Sequence, residues 1–451
     1  MASNRMLDRM RADRRKPAAS PLSGPSQNSP EYEESKRRFH NELLDSLDFE
    51  EVSNTPKEEL YDRMRESLSE RVERAQLPLS RPERERMVQE ILDNVLGLGP
   101  IEPLVRDPAV SDILINGPKN VFVDRKGKLI KTNVVFDDNK HLMQIVERIV
   151  VAVGRRVDEQ NPMVDARMQD GSRFNAIIPP LALDGAAVSI RRFGTVPITA
   201  DDLIAFGSCP RPMMEVLKGA VSSGLNSIIS GGTGSGKTTL LNVLSSFIPS
   251  DERIITIEDS AELQLQQPHI VRLETRPANI EGKGEVTQRE LVKNCLRMRP
   301  DRIILGEIRG AEAIDMLTAM NTGHDGSLAT VHANNTKDAL ARFETMVSLG
   351  MPNMTPKAIR ETIARALDVI IQQSRLVDGS RRVLAITEVT GMEGDVITTQ
   401  DIFVFQQETV DKNGKVRGRF KATGIKPRFA TRLASHGIQL SPQLFEFEME
   451  V

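Results

Sequence analysis

Gly231-Gly232-Thr233-Gly234-Ser235-Gly236-Lys237-Thr238 fits the phosphate-loop pattern G-x-x-x-x-G-K-[ST] at every fixed position. The apolar run from Leu225 to Ile229 ahead of it reads as a strand, and Thr239 to Leu244 behind it as a helix. Glycines let backbone N–H groups turn inward around a β-phosphate. The helix N-terminus adds positive potential. Lys237 supplies a point charge for β/γ oxygens and Thr238 a hydroxyl for Mg²⁺, so Gly231 through Thr239 is read as the nucleotide-binding segment. From about residue 200 to 400 apolar strands alternate with helices, the pattern of a mainly parallel α/β sheet.

Three further stations lie downstream. Ile254-Ile255-Thr256-Ile257 is a β-branched strand ending in Glu258-Asp259, with Glu262 expected one helical turn on. Open α/β sheets bind ligands at the carboxyl ends of their strands. Glu258 there is a candidate to polarise the attacking water, while Asp259 or Ser260 would cap a following helix. Arg302-Ile303-Ile304-Leu305-Gly306-Glu307 is a second strand ending in an acid. With glycine where such strands often carry Asp, Glu307 is expected to reach Mg²⁺ through water, because Mg²⁺ sheds its waters reluctantly. Ser327 to Val331 reads as a third strand capped by His332, which suits a donor to a γ-phosphate oxygen. Arg173 and Arg191 sit on late strands of a preceding region. An arginine from a neighbouring domain or subunit stabilises charge developing on a γ-phosphate; strand arginines also commonly cover a solvated face.

Outward from the loop the chain changes character. Its 451 residues suggest two to four domains. Residues 1–30 are polar, rich in Pro and basic, and read as a disordered tail. Residues 31–97 place Phe39, Leu43, Leu44 and Leu47, then Leu60, Met64, Leu68 and Val72, then Met87, Ile91, Leu92 and Val95 at helical spacing, a small helical bundle. Residues 98–193 mix strands, including 113–115, 121–123 and 133–136, with a helix over 142–153, an α+β sensor-like (PAS-like) domain. Residues 194–206 read as a linker, and 207–451 as the nucleotide domain with strands after about 398.

Composition excludes several classes. Net charge is −3, Trp is absent and aromatics are 4%. That argues against a protein coating nucleic acid, which carries a basic excess and stacking aromatics. Cys209 and Cys295 are isolated, so neither a zinc ribbon nor a disulfide framework is expected, which fits a reducing cytosol. No apolar run approaches the roughly 18–20 residues that span a bilayer, and the N-terminus lacks a signal core. A soluble cytoplasmic protein with peripheral membrane contact is the expectation.

The phosphate loop, Thr256-Ile257-Glu258-Asp259, Gly306-Glu307-Ile308-Arg309 and Ala329-Thr330-Val331-His332-Ala333-Asn334 together resemble the secretion ATPase superfamily of type II secretion, type IV pili and type IV secretion. There these segments are the Walker A loop, Asp box, atypical Walker B and His box. Arg173 to Pro180 and Ser189 to Phe193 resemble the segments bearing that family's arginine fingers. Gly154-Arg155-Arg156-Val157-Asp158, Met163-Val164-Asp165-Ala166-Arg167 and Ala422 to Pro427 resemble CpaF-type ATPases of the Tad/Flp pilus, and the tetracysteine metal motif of type II secretion ATPases is missing. The resemblance implies a RecA-like ATPase domain and a homohexameric ring. ATP, with Mg²⁺, would lie between the two domains of a subunit. Its partners would be inner-membrane platform proteins, through which it acts on pilins. A conjugation-type type IV secretion ATPase is the near alternative. A nucleic-acid motor or a nucleotide-gated scaffold is the alternative of another class.

Overall fold

The structure is a computed structural model and describes residues 30–46, 56–125, 128–192, 197–278 and 283–451. The N-terminal tail up to residue 29, Leu47, residues 126–127, Phe193 and residues 194–196 of the expected linker lie outside the described residues. The chain divides between Phe193 and Gly194 into two compact units.

In the first unit the helical spacing forms helices α1 (Pro30–Asp45), α2 (Lys57–Arg74) and α3 (Arg81–Val95). Tyr32, Phe39 and Leu43 of α1 pack with Leu60, Met64, Leu68 and Val72 of α2 and Met87, Val88, Ile91 and Leu92 of α3 in one core. Leu44, read as part of the apolar stripe, instead stands in solvent. Helix α3 starts where Ser80 N–H donates to Glu83 Oε2 at 2.8 Å.

After a short helix α4 (Glu102–Arg106) come β1 (Val110–Asn116), β2 (Val121–Arg125), β3 (Lys128–Lys131), helix α5 (Asn139–Ala152), β4 (Met163–Arg167), β5 (Arg173–Ile177) and β6 (Ala187–Arg191). The strands form one antiparallel sheet in the order β3-β2-β1-β6-β5-β4. Leu142, Ile145, Val146 and Ile149 of α5 pack with Ile113, Ile115, Phe174 and Val188 of the sheet. One expectation is corrected here, and one strand had not been expected. The strand read over 133–136 is β3, five residues earlier. Thr132 Oγ1 donates to Val121 O at 3.0 Å and accepts from Val134 N at 3.2 Å, which takes the chain off the ladder before Phe136 is buried. Residues 163–167, which carry no strong alternation, form β4 because β5 offers a full antiparallel register.

The second unit opens with α6 (Ala200–Ala205), inside the segment read as linker; Thr199 N–H donates to Asp202 at 2.8 Å and starts it. Helix α7 (Arg211–Ser222), β7 (Ser227–Gly231), α8 (Lys237–Ser245), β8 (Ile254–Glu258), β9 (Ile270–Glu274), α9 (Gln288–Cys295), β10 (Arg302–Ile308), α10 (Glu312–Asn321), β11 (Leu328–Val331), α11 (Thr336–Gly350), α12 (Pro356–Ala366) and β12 (Val369–Arg375) follow. Then come β13 (Arg381–Glu393), β14 (Val396–Val410), β15 (Val416–Ala422), α13 (Ala430–Ser435) and β16 (Glu448–Glu450). The sheet order is β16-β15-β14-β13-β12-β7-β11-β10-β8-β9. From β12 to β9 all pairs are parallel. From β12 to β16 they are antiparallel, so the antiparallel extension starts at 381 rather than about 398. Every residue of β7 and β8 is buried, as a sheet covered on both faces requires.

One buried charge stitches this sheet. Arg302 donates from Nη1 to Val221 O at 3.1 Å and Gly326 O at 3.0 Å, and from Nη2 to Glu252 Oε1 at 3.0 Å. Arg302→Ala strands two carbonyls and a carboxylate, and urea unfolding should show a loss of about 3–5 kcal/mol. Among the described residues no helix is long and apolar enough to cross a membrane.

Candidate nucleotide site

Strand β7 delivers the phosphate loop directly into α8. Two glycines are required by geometry. A Cβ on Gly231 would lie 2.3 Å from Gln373 O, and Gly236 has φ +95° where the chain turns into the helix. Ser235 Oγ donates to Gly232 O at 2.9 Å, and Lys237 Nζ to the same carbonyl at 3.1 Å. The ammonium therefore lies folded over the loop. Burial lowers the Lys237 pKa, and the nearby Glu307 carboxylate opposes that shift. Thr238 and Thr239 follow on the first turn of α8, half-buried.

Glu258 ends β8, next to β10 in the sheet. The expected helix after it does not form, which corrects the capping role given to Asp259 or Ser260. Residues 259–268 run without regular structure. Leu263 is buried, and Gln264 N–H is held by Asn242 Oδ1 at 2.9 Å. Glu258 Oε2 takes the N–H groups of Glu262 at 2.7 Å and Leu263 at 2.9 Å. Its Oε1 is buried with no partner among the described residues. Burial pushes the carboxyl up to about 7, against the two backbone donors. A carboxyl titrating near neutral pH, with one oxygen held and one uncommitted, has the form of a general base.

Gly306 leaves room for that carboxyl. A Cβ there would lie 3.0 Å from Glu258 Cγ. Gly306→Ala should therefore slow hydrolysis about three- to tenfold while nucleotide affinity stays within about twofold, read from kcat against Kd. Glu307 is held by Arg309, Nε at 3.0 Å and Nη2 at 2.6 Å, and Arg309 Nη1 also reaches Asp259 Oδ2 at 3.1 Å. His332 follows the last residue of β11 and is half-buried. On the same strand Thr330 Oγ1 donates to Gly306 O at 2.7 Å, tying the β11 end to the β10 end.

Two side chains that no local pattern marks also meet the loop. Arg381 Nε donates to Gly234 O at 2.9 Å, across 147 residues of chain. Gln373 Nε2 lies 3.2 Å from where a Cβ on Gly236 would be, and its buried Oε1 has no partner. The strand order places β12 beside β7, and the β12–β13 hairpin then carries both to the loop. Lys237, Glu258, Glu307, His332, Gln373 and Arg381 thus all belong to the second unit: Lys237 opens α8, and the others stand at or near the ends of β8, β10, β11 and β12 and the start of β13. Arg173 and Arg191 belong to the first unit. They are register partners on β5 and β6, and each is paired: Arg173 with Asp165 at 2.8 Å, Arg191 with Asp112 at 3.1 Å.

The residues present fit a bound nucleoside triphosphate. The loop is a cradle that a Cβ at Gly231 would fill, and Glu258 keeps an unpartnered buried oxygen. Residues 94–423 match the family described as "Type II/IV secretion system protein". The chain belongs to that family. This secretion ATPase is 38% identical over 306 residues to "Putative conjugal transfer protein MT3759" of Mycobacterium tuberculosis (strain CDC 1551 / Oshkosh), covering 66% of this chain and 86% of the relative. It is 31% identical over 320 residues to the type IV secretion system protein VirB11 of Bartonella henselae, covering 62% and 88%. Among solved structures it is similar to the VirB11 ATPase of the Brucella suis type IV secretion system in complex with sulphate, at 29% identity and TM-score 0.35, covering 64% and 91%.

Proposed function

We propose that this secretion ATPase is the hexameric motor of a type IV secretion machine of the conjugal-transfer kind, working at the cytoplasmic face of the inner membrane on membrane platform proteins. Hydrolysis rests on one observation, the buried Glu258 carboxyl with an uncommitted Oε1 at the carboxyl end of β8, in the sheet whose β7 delivers the phosphate loop. The loop N–H groups and Lys237 would hold the phosphates, and Thr238 would hold Mg²⁺, with Glu307 reaching the ion through water. The ion neutralises phosphate charge when bound. Glu258 orients and deprotonates water; His332 donates to the γ-phosphate. Arg173 and Arg191 supply positive charge as it develops there. The transfer role is supported by the names of the relatives, conjugal transfer and VirB11 proteins.

A second reading, assembly of a Tad/Flp pilus, is favoured by residues 154–158, 163–167 and 422–427. Deleting the gene and scoring both phenotypes separates the two. Loss of DNA or protein transfer with surface pili intact supports the first reading. Loss of pili with transfer intact supports the second. Neither loss overturns both.

A further inference from the structure

A glycine-rich loop does not hold its own shape. Gly234 and Gly236 sit at φ +70° and +95°, a region glycine enters and leaves with little steric cost. Inside the loop, Ser235 Oγ and Lys237 Nζ both converge on Gly232 O. The peptide between Gly234 and Ser235 is held from inside only by a long bond, Ser235 N–H to Gly232 O at 3.4 Å.

Its firm anchor comes from outside. Arg381, the first residue of β13, donates from Nε to Gly234 O at 2.9 Å, and its Cδ lies 3.1 Å from where a Cβ on Gly236 would be. Among the described residues no other side chain outside the loop hydrogen bonds to it. The β12–β13 turn that presents Arg381 is itself pinned. Leu376 N–H donates to Ser380 O at 2.7 Å, Asp378 Oδ1 takes the Ser380 N–H at 2.9 Å, and Asp378 Oδ2 takes the Val416 N–H of β15 at 2.9 Å. Arg381 thus reaches the loop from a fixed base. A trans peptide is planar, with its C=O and N–H opposed. Holding Gly234 O toward Arg381 turns the Ser235 N–H the other way, to the inside of the loop, where backbone amides receive phosphate oxygens.

We propose that Arg381 is a positioning residue for nucleotide binding: its Nε–H, rather than its charge, sets the Gly234–Ser235 peptide so that the Ser235 N–H faces the β-phosphate. The inference rests on the nucleotide reading of this site and adds to it a residue outside the loop and the downstream strand ends. Charge is the competing cause. Arg375 stands opposite Arg381 in the strand register, and two guanidiniums attract a polyphosphate without touching the loop. The bond itself, made at the ordinary N–H···O distance, favours positioning.

Glutamine separates the two. In Arg381→Gln the amide nitrogen is attached to Cδ, as the arginine Nε is, so the donor stays and the charge goes. Arg381→Met keeps the reach and loses both. Binding is read by anisotropy of a fluorescent ATP analogue on the full chain, with ADP as competitor. Arg381→Met should weaken ATP and ADP by the same factor, about five- to tenfold, because both carry the β-phosphate. Arg381→Gln should stay within about twofold of wild type. Thermal unfolding should be alike in the two variants, so a merely structural loss would not separate them. Weakening in the Gln variant equal to that in the Met variant assigns the effect to charge and overturns the proposal. So does a loss for ATP alone, which makes Arg381 a γ-phosphate contact, or unchanged binding by the Met variant. Each of these leaves wild-type binding and its dependence on Lys237 in place. Wild-type protein that binds no nucleotide overturns the reading of the site, and this inference with it.

Discussion

Lys237→Ala should lower ATP hydrolysis by about a hundred- to a thousandfold, and binding of a fluorescent ATP analogue should fall with it. The reason is positional. Lys237 Nζ already sits 3.1 Å from Gly232 O, drawn over the loop. Burial makes its charge costly, as the lowered pKa reports, so the loop holds a desolvated cation that a triphosphate satisfies. Lys237→Arg keeps the charge, but the planar fork is longer and cannot fold to the same carbonyl. It should recover little activity. Wild-type turnover by the alanine variant would mean that hydrolysis occurs elsewhere.

Glu258→Gln should separate binding from chemistry. The amide keeps the size of the side chain and an oxygen for the N–H groups of Glu262 and Leu263. It cannot take a proton. Hydrolysis should fall about a hundred- to ten-thousandfold with ATP affinity nearly unchanged. Hydrolysis by the wild-type protein should rise with pH through about 7, the value to which burial lifts this carboxyl. Stability should move the other way. The folded chain holds a proton that the unfolded chain, with an ordinary carboxyl at 4.5, has released, so the contribution is full below 4.5 and lost as pH rises through about 7. In the Gln variant both dependences should flatten. A Gln variant that still hydrolyses ATP with the same pH profile would assign the base to another group.

The phosphate loop was legible because its signature is contiguous: glycines, Lys237 and Thr238 fall at fixed spacing, with a strand before them and a helix after. The buried strands β7, β8, β10 and β11 were legible because a sheet covered on both faces needs unbroken apolar runs. What escaped was set by distant partners. Arg381 and Gln373 look like ordinary strand residues until β12 pairs beside β7. Ser260 looks like a helix cap, but Asn242 holds Gln264 and Glu258 takes the amides a helix would have used. Residues 133–136 have strand composition, yet the Thr132 hydroxyl pulls the chain off the ladder. In the last two cases a side-chain hydrogen bond outweighed local propensity, a preference worth only about 1 kcal/mol; in the first, strand order alone did the placing.

The most direct measurement is single-turnover cleavage of radiolabelled ATP by the full chain, free of the slow conformational steps that can limit steady state. The account predicts that wild-type protein cleaves its bound ATP, faster at about pH 8 than at pH 6, while Glu258→Gln binds the same ATP and leaves it intact. Bound ATP that stays whole on the wild-type protein, or is cleaved equally fast by the Gln variant, would contradict it.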